Sequence, residues 1–326
     1  MIALLDQHCL QPPTDADTDA YFAPPPADPR NKRKRSDETT GKRTRARKKD
    51  GWSDRVVVTL TERVDPDLVR RLLAHLPEDS EERKGLVRYS AALNEAGELA
   101  VDYRYKSHGM GRLYPRDHRS LGTLKRELRG ALCAGRYVDV DIKNAHPTIL
   151  RQECERRGWP CAALAEYIDN REATLARISP DRDKAKVAVL SLINNSGLGE
   201  FRDNQYILQL YRELRTIRER IWETYENFRR IVQAENRSNE KASVTSFFMM
   251  FHENRILLTM YRHLEAAGWD VATLVYDGLM VYRRDEKRVE DTFDAMRRGV
   301  EEECGFRVLF EVKQWTRDVL RQFGMN

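Results

Sequence analysis

The sequence predicts an α+β fold built on an antiparallel sheet, and three stretches of it carry the prediction. Tyr137-Val-Asp-Val-Asp-Ile142 alternates as a half-buried strand does. Thr273-Leu-Val-Tyr-Asp277-Gly278-Leu-Met-Val-Tyr282 sets two apolar strands around an Asp-Gly pair, which is a hairpin signal. Between them Ile207, Leu210, Leu214, Ile217, Ile221, Phe228 and Val232 recur at threes, fours or their sum, the spacing of a helix with one apolar face. Strands and helices in this mixed order, with a hairpin in the sheet, indicate α+β and not alternating βαβ units.

The remaining elements follow in order. Residues 1–50 contain six of the twelve prolines and almost no apolar periodicity, so they read as a disordered tail. Residues 55–60 read as a strand, and Asp65-Pro66 opens a short helix through Leu76 with proline in its first turn. Residues 99–105 are extended and Leu121 to Leu132 helical. Asn144 is placed to cap the helix after Ile142, with Pro147 tolerated in its first turn. A second long helix runs from Val244 to Ala266. A helix near 287–303, a strand over 306–313 and a short helix close the chain. No internal repeat is present.

Composition narrows the class. A hydrophobic fraction of 40% supports a packed core, and no apolar run approaches the ~20 residues that span a bilayer. The N-terminus lacks the pattern of a secretory signal. The five cysteines form no C-x-x-C pair, which supports neither a disulfide framework nor a zinc site and points to a reducing compartment. The net charge of +5 is unevenly placed. Residues 30–49 carry eleven Lys or Arg against Asp37 and Glu38, residues 1–29 carry five aspartates and no Lys or Arg, and residues 51–326 are left nearly neutral. Lys32 to Arg35 and the cluster Lys42 to Lys49 look like a bipartite nuclear-import signal, implying an import receptor and a nuclear location, and would also bind nucleic acid non-specifically.

Two aspartates stand at strand ends: Asp141 before a helix start and Asp277 at the hairpin turn. Burying either carboxylate unpaired is costly, so the placement points to a metal or to solvent. Magnesium favours a few carboxylates with waters and substrate phosphates, and two such ions can activate a hydroxyl and stabilise departing pyrophosphate. Between them Arg182, Lys186, Leu190 and Asn194 fall at i, i+4, i+8 and i+12, one stripe of a helix. Its two cations can grip a triphosphate while the next turns meet sugar and base. Asp139 shares the strand face of Asp141 and is a candidate accessory acid. Phe247, Phe248 and Phe251 read as core.

Across residues 105–315 this order resembles family A DNA polymerases. Asp141-Ile-Lys-Asn-Ala-His146 resembles motif A, the Arg182-Lys186-Leu190-Asn194 stripe motif B, and Val275-Tyr276-Asp277-Gly278 motif C. Gly111-Arg112-Leu113 looks like the segment whose arginine contacts the primer–template minor groove. Arg126 and Arg129 resemble the arginine pair before motif A, and residues 306–313 the last palm strand. The resemblance implies a right-hand palm with helical fingers. It also implies two Mg2+ ions held by Asp141 and Asp277 with Ile142 beside them, and Lys186 acting on the incoming triphosphate. Arg182, Leu190, Asn194 and His146 then contact the nucleotide, and Arg112, Arg126, Arg129 and His252 the primer–template. The corresponding division is a basic tail over 1–50, an N-terminal segment or reduced thumb over 51–110, and palm and fingers over 111–326, with fingers at about 155–245. No exonuclease or 5′-nuclease domain is recognisable, and with at most a reduced thumb, processivity calls for a partner or the basic tail.

The departures affect sugar choice. His146 replaces a glutamate that helps exclude ribonucleotides, Leu190 and Asn194 replace aromatic residues, and Gly278 removes a second acid. Gly111-Arg-Leu-Tyr-Pro115 is similar to a segment of single-subunit phage and mitochondrial RNA polymerases, which also lack that acid. The expected substrates are a DNA primer–template and dNTPs. An rNTP-using polymerase or primase, and a non-catalytic palm that only binds nucleic acid, are the competing readings. A basic-tailed interaction protein with chance motif matches is the remaining one.

Overall fold

The computed structural model describes residues 52–323 except 107, 108, 110, 236, 316, 317 and 322; the expected basic tail and import signal lie outside the described residues. The chain begins with strand β1 (Trp52–Arg63), helices α1 (Pro66–His75) and α2 (Glu81–Ser90), and strands β2 (Glu98–Lys106) and β3 (Tyr114–Pro115). These strands form an antiparallel sheet in the order β1-β2-β3. Helix α3 (Arg126–Cys133) leads into β4 (Tyr137–Ile142). A run of helices follows: α4 (Ala145–Arg157), α5 (Ala162–Asp169), α6 (Arg171–Ile178), α7 (Arg182–Ile193), α8 (Gln205–Thr224), α9 (Glu226–Ala234) and α10 (Glu240–Ala266). The hairpin strands β5 (Val271–Val275) and β6 (Gly278–Tyr282), helix α11 (Phe293–Cys304), strand β7 (Phe310–Gln314) and helix α12 (Asp318–Arg321) complete it.

The second sheet has the order β5-β6-β4-β7, with β4 antiparallel to both β6 and β7. Its alternation explains its burial. Val138, Val140 and Ile142 face a large core shared with α4, α8 and α10, whereas Tyr137 joins a smaller core with Met280, Leu128, Leu132 and residues of α1 and α2. Helix α10 is buried along most of its length, as a helix through the middle of a domain must be. The two sheets are tied by a buried acid. Glu62 of β1 is fully buried and accepts hydrogen bonds from Ser120 Oγ (2.7 Å) and the Leu121 amide (2.9 and 3.0 Å).

Several sequence expectations need correction. The helix expected through 207–232 breaks at Tyr225, whose backbone leaves helical geometry (φ −105°, ψ 75°) while its hydroxyl donates to Glu153 and its ring packs on Phe228 and Phe248. The helix expected from Leu121 is interrupted: residues 121–123 form a short 3-10 turn, Leu124 and Lys125 are extended (ψ 151° and 148°), and α-helix begins only at Arg126. The last strand begins at Phe310, not 306. Asn144 does precede α4, but it sits in the left-handed region (φ 53°) and its side chain makes no capping bond.

Strands β4 and β6 approach closely at one end of the second sheet. Asp141 lies in register with Gly278. A Cβ at residue 278 would overlap Asp141 Oδ1 and lie 2.7 Å from the Val140 carbonyl oxygen, so no larger residue fits without displacing the strand. Gly278→Ala is therefore expected to lower stability by about 1–3 kcal/mol, the range for overpacking. Urea unfolding checks it, and unchanged stability would show that the strands do not approach so closely.

Candidate active site

Strand pairing brings two of the expected catalytic positions together at one end of the sheet. Asp141 ends β4, and Asp277 occupies the two-residue turn between β5 and β6, its carbonyl accepting from the Ile142 amide (3.2 Å). Tyr276, the other turn residue, is in the left-handed region (φ 55°) and 60% exposed. A tight hairpin demands such a conformation. The two carboxylates nevertheless keep different company.

Asp277 belongs to a cluster centred on Glu253. Glu253, on α10, is 1% exposed and receives a bidentate pair from Arg112, Nε to Oε1 at 2.5 Å and Nη2 to Oε2 at 2.7 Å. His146 Nε2 lies 2.7 Å from Glu253 Oε2 and carries the proton of that bond. Burial alone would raise the Glu253 carboxyl, but the hydrogen bonds from Arg112 and His146 outweigh it and hold the group at about 2. For Asp277, burial and then the charge of Glu253 push the carboxyl up to about 6. The Arg112 guanidinium also stands 5.5 Å from the centre of the Tyr276 ring. The sequence marked Arg112, His146 and Asp277 separately; the buried acid that gathers them is what the structure adds.

Asp141 instead pairs with Lys313 of β7, whose stem rises beside it on the same face of the sheet. Asp139 is 4% exposed, lies in register with Lys313, and its Oδ1 has no hydrogen-bond partner among the described residues. Arg126 and Arg129 both stack over Trp315, at 5.8 and 6.0 Å, near this face. Ile142 has a buried side chain, so only its backbone could meet an ion.

The motif-B-like stripe lies on α7, and the structure brings only its first residue to the strand end. A cleft of about 460 Å³ is lined by Lys143 and Asn144 after β4, Arg171 and Glu172 of α6, Arg182 of α7 and Glu311 of β7. Arg182 is held there by a bidentate pair to Glu172 (2.7 Å each), an exposed contact that exchanges readily. Lys186 and Leu190 are half-buried further along α7, Asn194 is exposed at its end, and none of the three lines the cleft. Lys186 has no ion-pair partner among the described residues. A larger depression of about 970 Å³ lies at the opposite end of the sheet, beside Tyr282, Arg136 and Arg283, and contains neither aspartate.

One expected nucleic-acid contact is overturned. His252 is buried among Phe248, Phe251 and Phe306, where burial and then the charges of Arg255 and Arg156 lower it to about 3. It is a neutral core residue and not a strand contact. Its neighbour Arg255 is buried as well, with Nη2 donating to the Glu303 carbonyl (2.7 Å). Phe247, Phe248 and Phe251 lie in the core, as expected.

Among the described residues no three His, Cys, Asp or Glu side chains gather as a metal cage, and no helix is long and apolar enough to cross a membrane. Two carboxylates at adjacent strand ends suit a magnesium ion that brings water and phosphate as its other ligands, and not one enclosed by protein.

No protein-family model matches the chain. It is 27% identical, over a 252-residue alignment, to the putative helicase V13 of Sputnik virophage; the match covers 69% of this chain and 32% of V13, so it spans about a third of that relative's length. Among solved structures it is similar to the POL domain of Pol1 from M. smegmatis in complex with DNA primer-template and dNTP. That likeness has a TM-score of 0.49 and 10% identity, over 73% of this chain and 51% of that one.

The cluster yields two measurable consequences. Glu253→Gln leaves Arg112 without its counter-charge, and unfolding free energy should fall by about 3 kcal/mol, the low end for a broken buried pair because Arg112 remains partly in water. Its depressed carboxyl stabilises the fold above about pH 4.3, and that contribution disappears as pH falls toward 2. Asp277 has the opposite sign: its carboxyl sits higher folded than unfolded, so the fold gains stability as pH falls from 6 to about 4. Carboxyl 13C NMR without divalent ions should show a midpoint near 6 for Asp277 and no titration of Glu253 above pH 4. An ordinary midpoint for both would dissolve the cluster.

Proposed function

We propose that this chain is a template-directed nucleotidyltransferase that adds nucleotides to a 3′-hydroxyl, most simply a DNA-directed DNA polymerase of the family A type. One observation carries the reading: the pairing of β4 with β6 sets Asp141 and Asp277 at one sheet end, beside a cleft lined by Lys143, Arg171 and Arg182. Carboxylates suited to magnesium next to cations suited to phosphate are what phosphoryl transfer requires.

In this reading Asp141 and Asp277 hold two Mg2+ ions, which when bound supply charge to the attacking and leaving oxygens. Arg182 exchanges Glu172 for the triphosphate, with Lys186 one helical turn on. Arg112, fixed by Glu253, presents its remaining surface with Tyr276 to the primer–template. Arg126 and Arg129 contact the same strands from α3. Residues 51–110 serve as a reduced thumb, and 111–326 as palm and fingers with the fingers at about 155–245. The basic segment 30–49 engages template, a processivity partner or a nuclear import receptor.

The helicase name of V13 does not transfer readily to this chain. Its single Gly-Lys pair, Gly41-Lys42, has Ser36 where a phosphate-cradling P-loop needs its first glycine. Use of rNTPs is a second reading with one observation behind it: His146, at the position of the sugar-excluding glutamate, is turned to Glu253.

Primer extension with Mg2+, offering dNTPs and rNTPs separately on primed and unprimed single-stranded DNA, tests the proposal. Incorporation of dNTPs on primed template is expected. Asp141→Asn should lower turnover by about 10²- to 10³-fold, by analogy with removing one group that stabilises developing charge. Lys186→Ala should cost turnover within about the same range while primer–template binding holds. Incorporation that survives Asp141→Asn would refute the assignment, and binding without incorporation would favour a palm that only binds nucleic acid.

A further inference from the structure

The ion pair between Asp141 and Lys313 has no place in the reading above, and it occupies the carboxylate that the reading assigns to metal. One oxygen of Asp141, Oδ1, is packed against Gly278, where not even a methyl group fits. The other, Oδ2, holds the Lys313 ammonium. An ion that approaches Oδ2 therefore meets the ammonium first. Lys313 is also the cation of a larger acidic group. Along β7, Glu311 stands in register with Asp141 and Lys313 with Asp139, so three carboxylates and the ammonium share a sheet face, with the Arg126 and Arg129 guanidinium groups close enough to act on Asp139 and Lys313. Lys313 Nζ lies 3.6 Å from Glu311 Oε1. Asp139 is almost completely buried and offers an oxygen with no partner among the described residues.

We propose that Lys313 is a resident counter-cation of Asp141 which a divalent ion must displace, so that the site takes up its ion together with nucleotide phosphates and only weakly before them. Two like charges cannot share one carboxylate oxygen, and an ammonium a few ångströms from an entering ion opposes it strongly at a partly buried site. Lys313 has somewhere to go: a shift of its flexible stem toward Asp139 or Glu311 frees Asp141 Oδ2 and can bring the ammonium to the unpartnered Oδ1 of Asp139. The nucleotide then contributes the phosphate oxygens that make ion entry favourable. Lys313 is thus a positioning residue. The inference rests on Asp141 as an ion ligand, as proposed above, but not on template direction.

Mn2+ binding without nucleotide, followed by electron paramagnetic resonance, tests it. Lys313→Met keeps the stem and removes the charge. It should bind Mn2+ at least about tenfold more tightly than wild type, whereas Lys313→Arg should bind as weakly as wild type. The gain should vanish in the Asp141→Asn/Lys313→Met double variant. Thermal melting separates folding from binding: Lys313 is 43% exposed, so Lys313→Met should fold, melt lower in EDTA because Asp141 has lost its cation, and recover with Mn2+. Equal Mn2+ affinity in wild type and Lys313→Met, or a gain that survives Asp141→Asn, would overturn the proposal. A wild type that extends no primer while Lys313→Met shows the Mn2+ gain would sink the polymerase reading and leave this one standing. Normal extension with no change in Mn2+ affinity would do the reverse.

Discussion

Strands β4 and β6 approach so closely at Asp141 and Gly278 that the aspartate carboxylate fills the space a side chain at 278 would need. Much of the site's geometry follows from this contact. It fixes the register that carries Asp277 to the same end of the sheet and lets the Ile142 amide reach the Asp277 carbonyl. It turns the free oxygen of Asp141 toward β7, where Lys313 meets it. It also explains in steric terms why glycine, and not a second acid, follows Asp277: an acidic side chain there would collide with Asp141 before it could help to bind anything.

On the other side of the hairpin, electrostatics supplies the organising constraint. A carboxylate as buried as Glu253 survives ionised only when fully partnered, and Arg112 and His146 provide that. The cluster spans three separate parts of the chain, the segment before β3, the start of α4 and the middle of α10, and holds them around the hairpin turn. Burial, and then the charge of Glu253, keep Asp277 easier to protonate than an ordinary aspartate. The exposed ring of Tyr276, under Arg112, is then the outermost feature of the turn.

Strand β4, the hairpin and the long helices were legible in the sequence because period-two and helical spacing are local properties. The same holds for Asp141 and Asp277, since a carboxylate at a strand end or tight turn is marked by its neighbours. What the sequence hid depends on contacts across the chain. The break at Tyr225 comes with a bond to Glu153, 72 residues away, and the turn before α3 is tied to Glu62, far back in β1. The resemblance made His252 a primer–template contact, but α10 is enclosed on most sides, so His252 is a neutral core histidine and the Glu253 beside it the hub of an ion cluster. Lys313 left a faint signal, charged residues alternating with apolar ones along Phe310-Glu311-Val312-Lys313. Nothing local said that its ammonium would reach Asp141.

A divalent ion at the ends of β4 and β6, beside the cleft lined by Lys143, Arg171 and Arg182, is located by iron-directed cleavage. Fe2+ with ascorbate and peroxide, in place of Mg2+ and in the presence of nucleotide and primer–template, generates hydroxyl radicals at the ion itself, and these cut only the nearest backbone. Cuts should be confined to residues about 139–144 and 275–279, suppressed by excess Mg2+ and absent from Asp141→Asn. Cuts elsewhere in the chain, or a pattern indifferent to Mg2+ and to Asp141, would rule the site out.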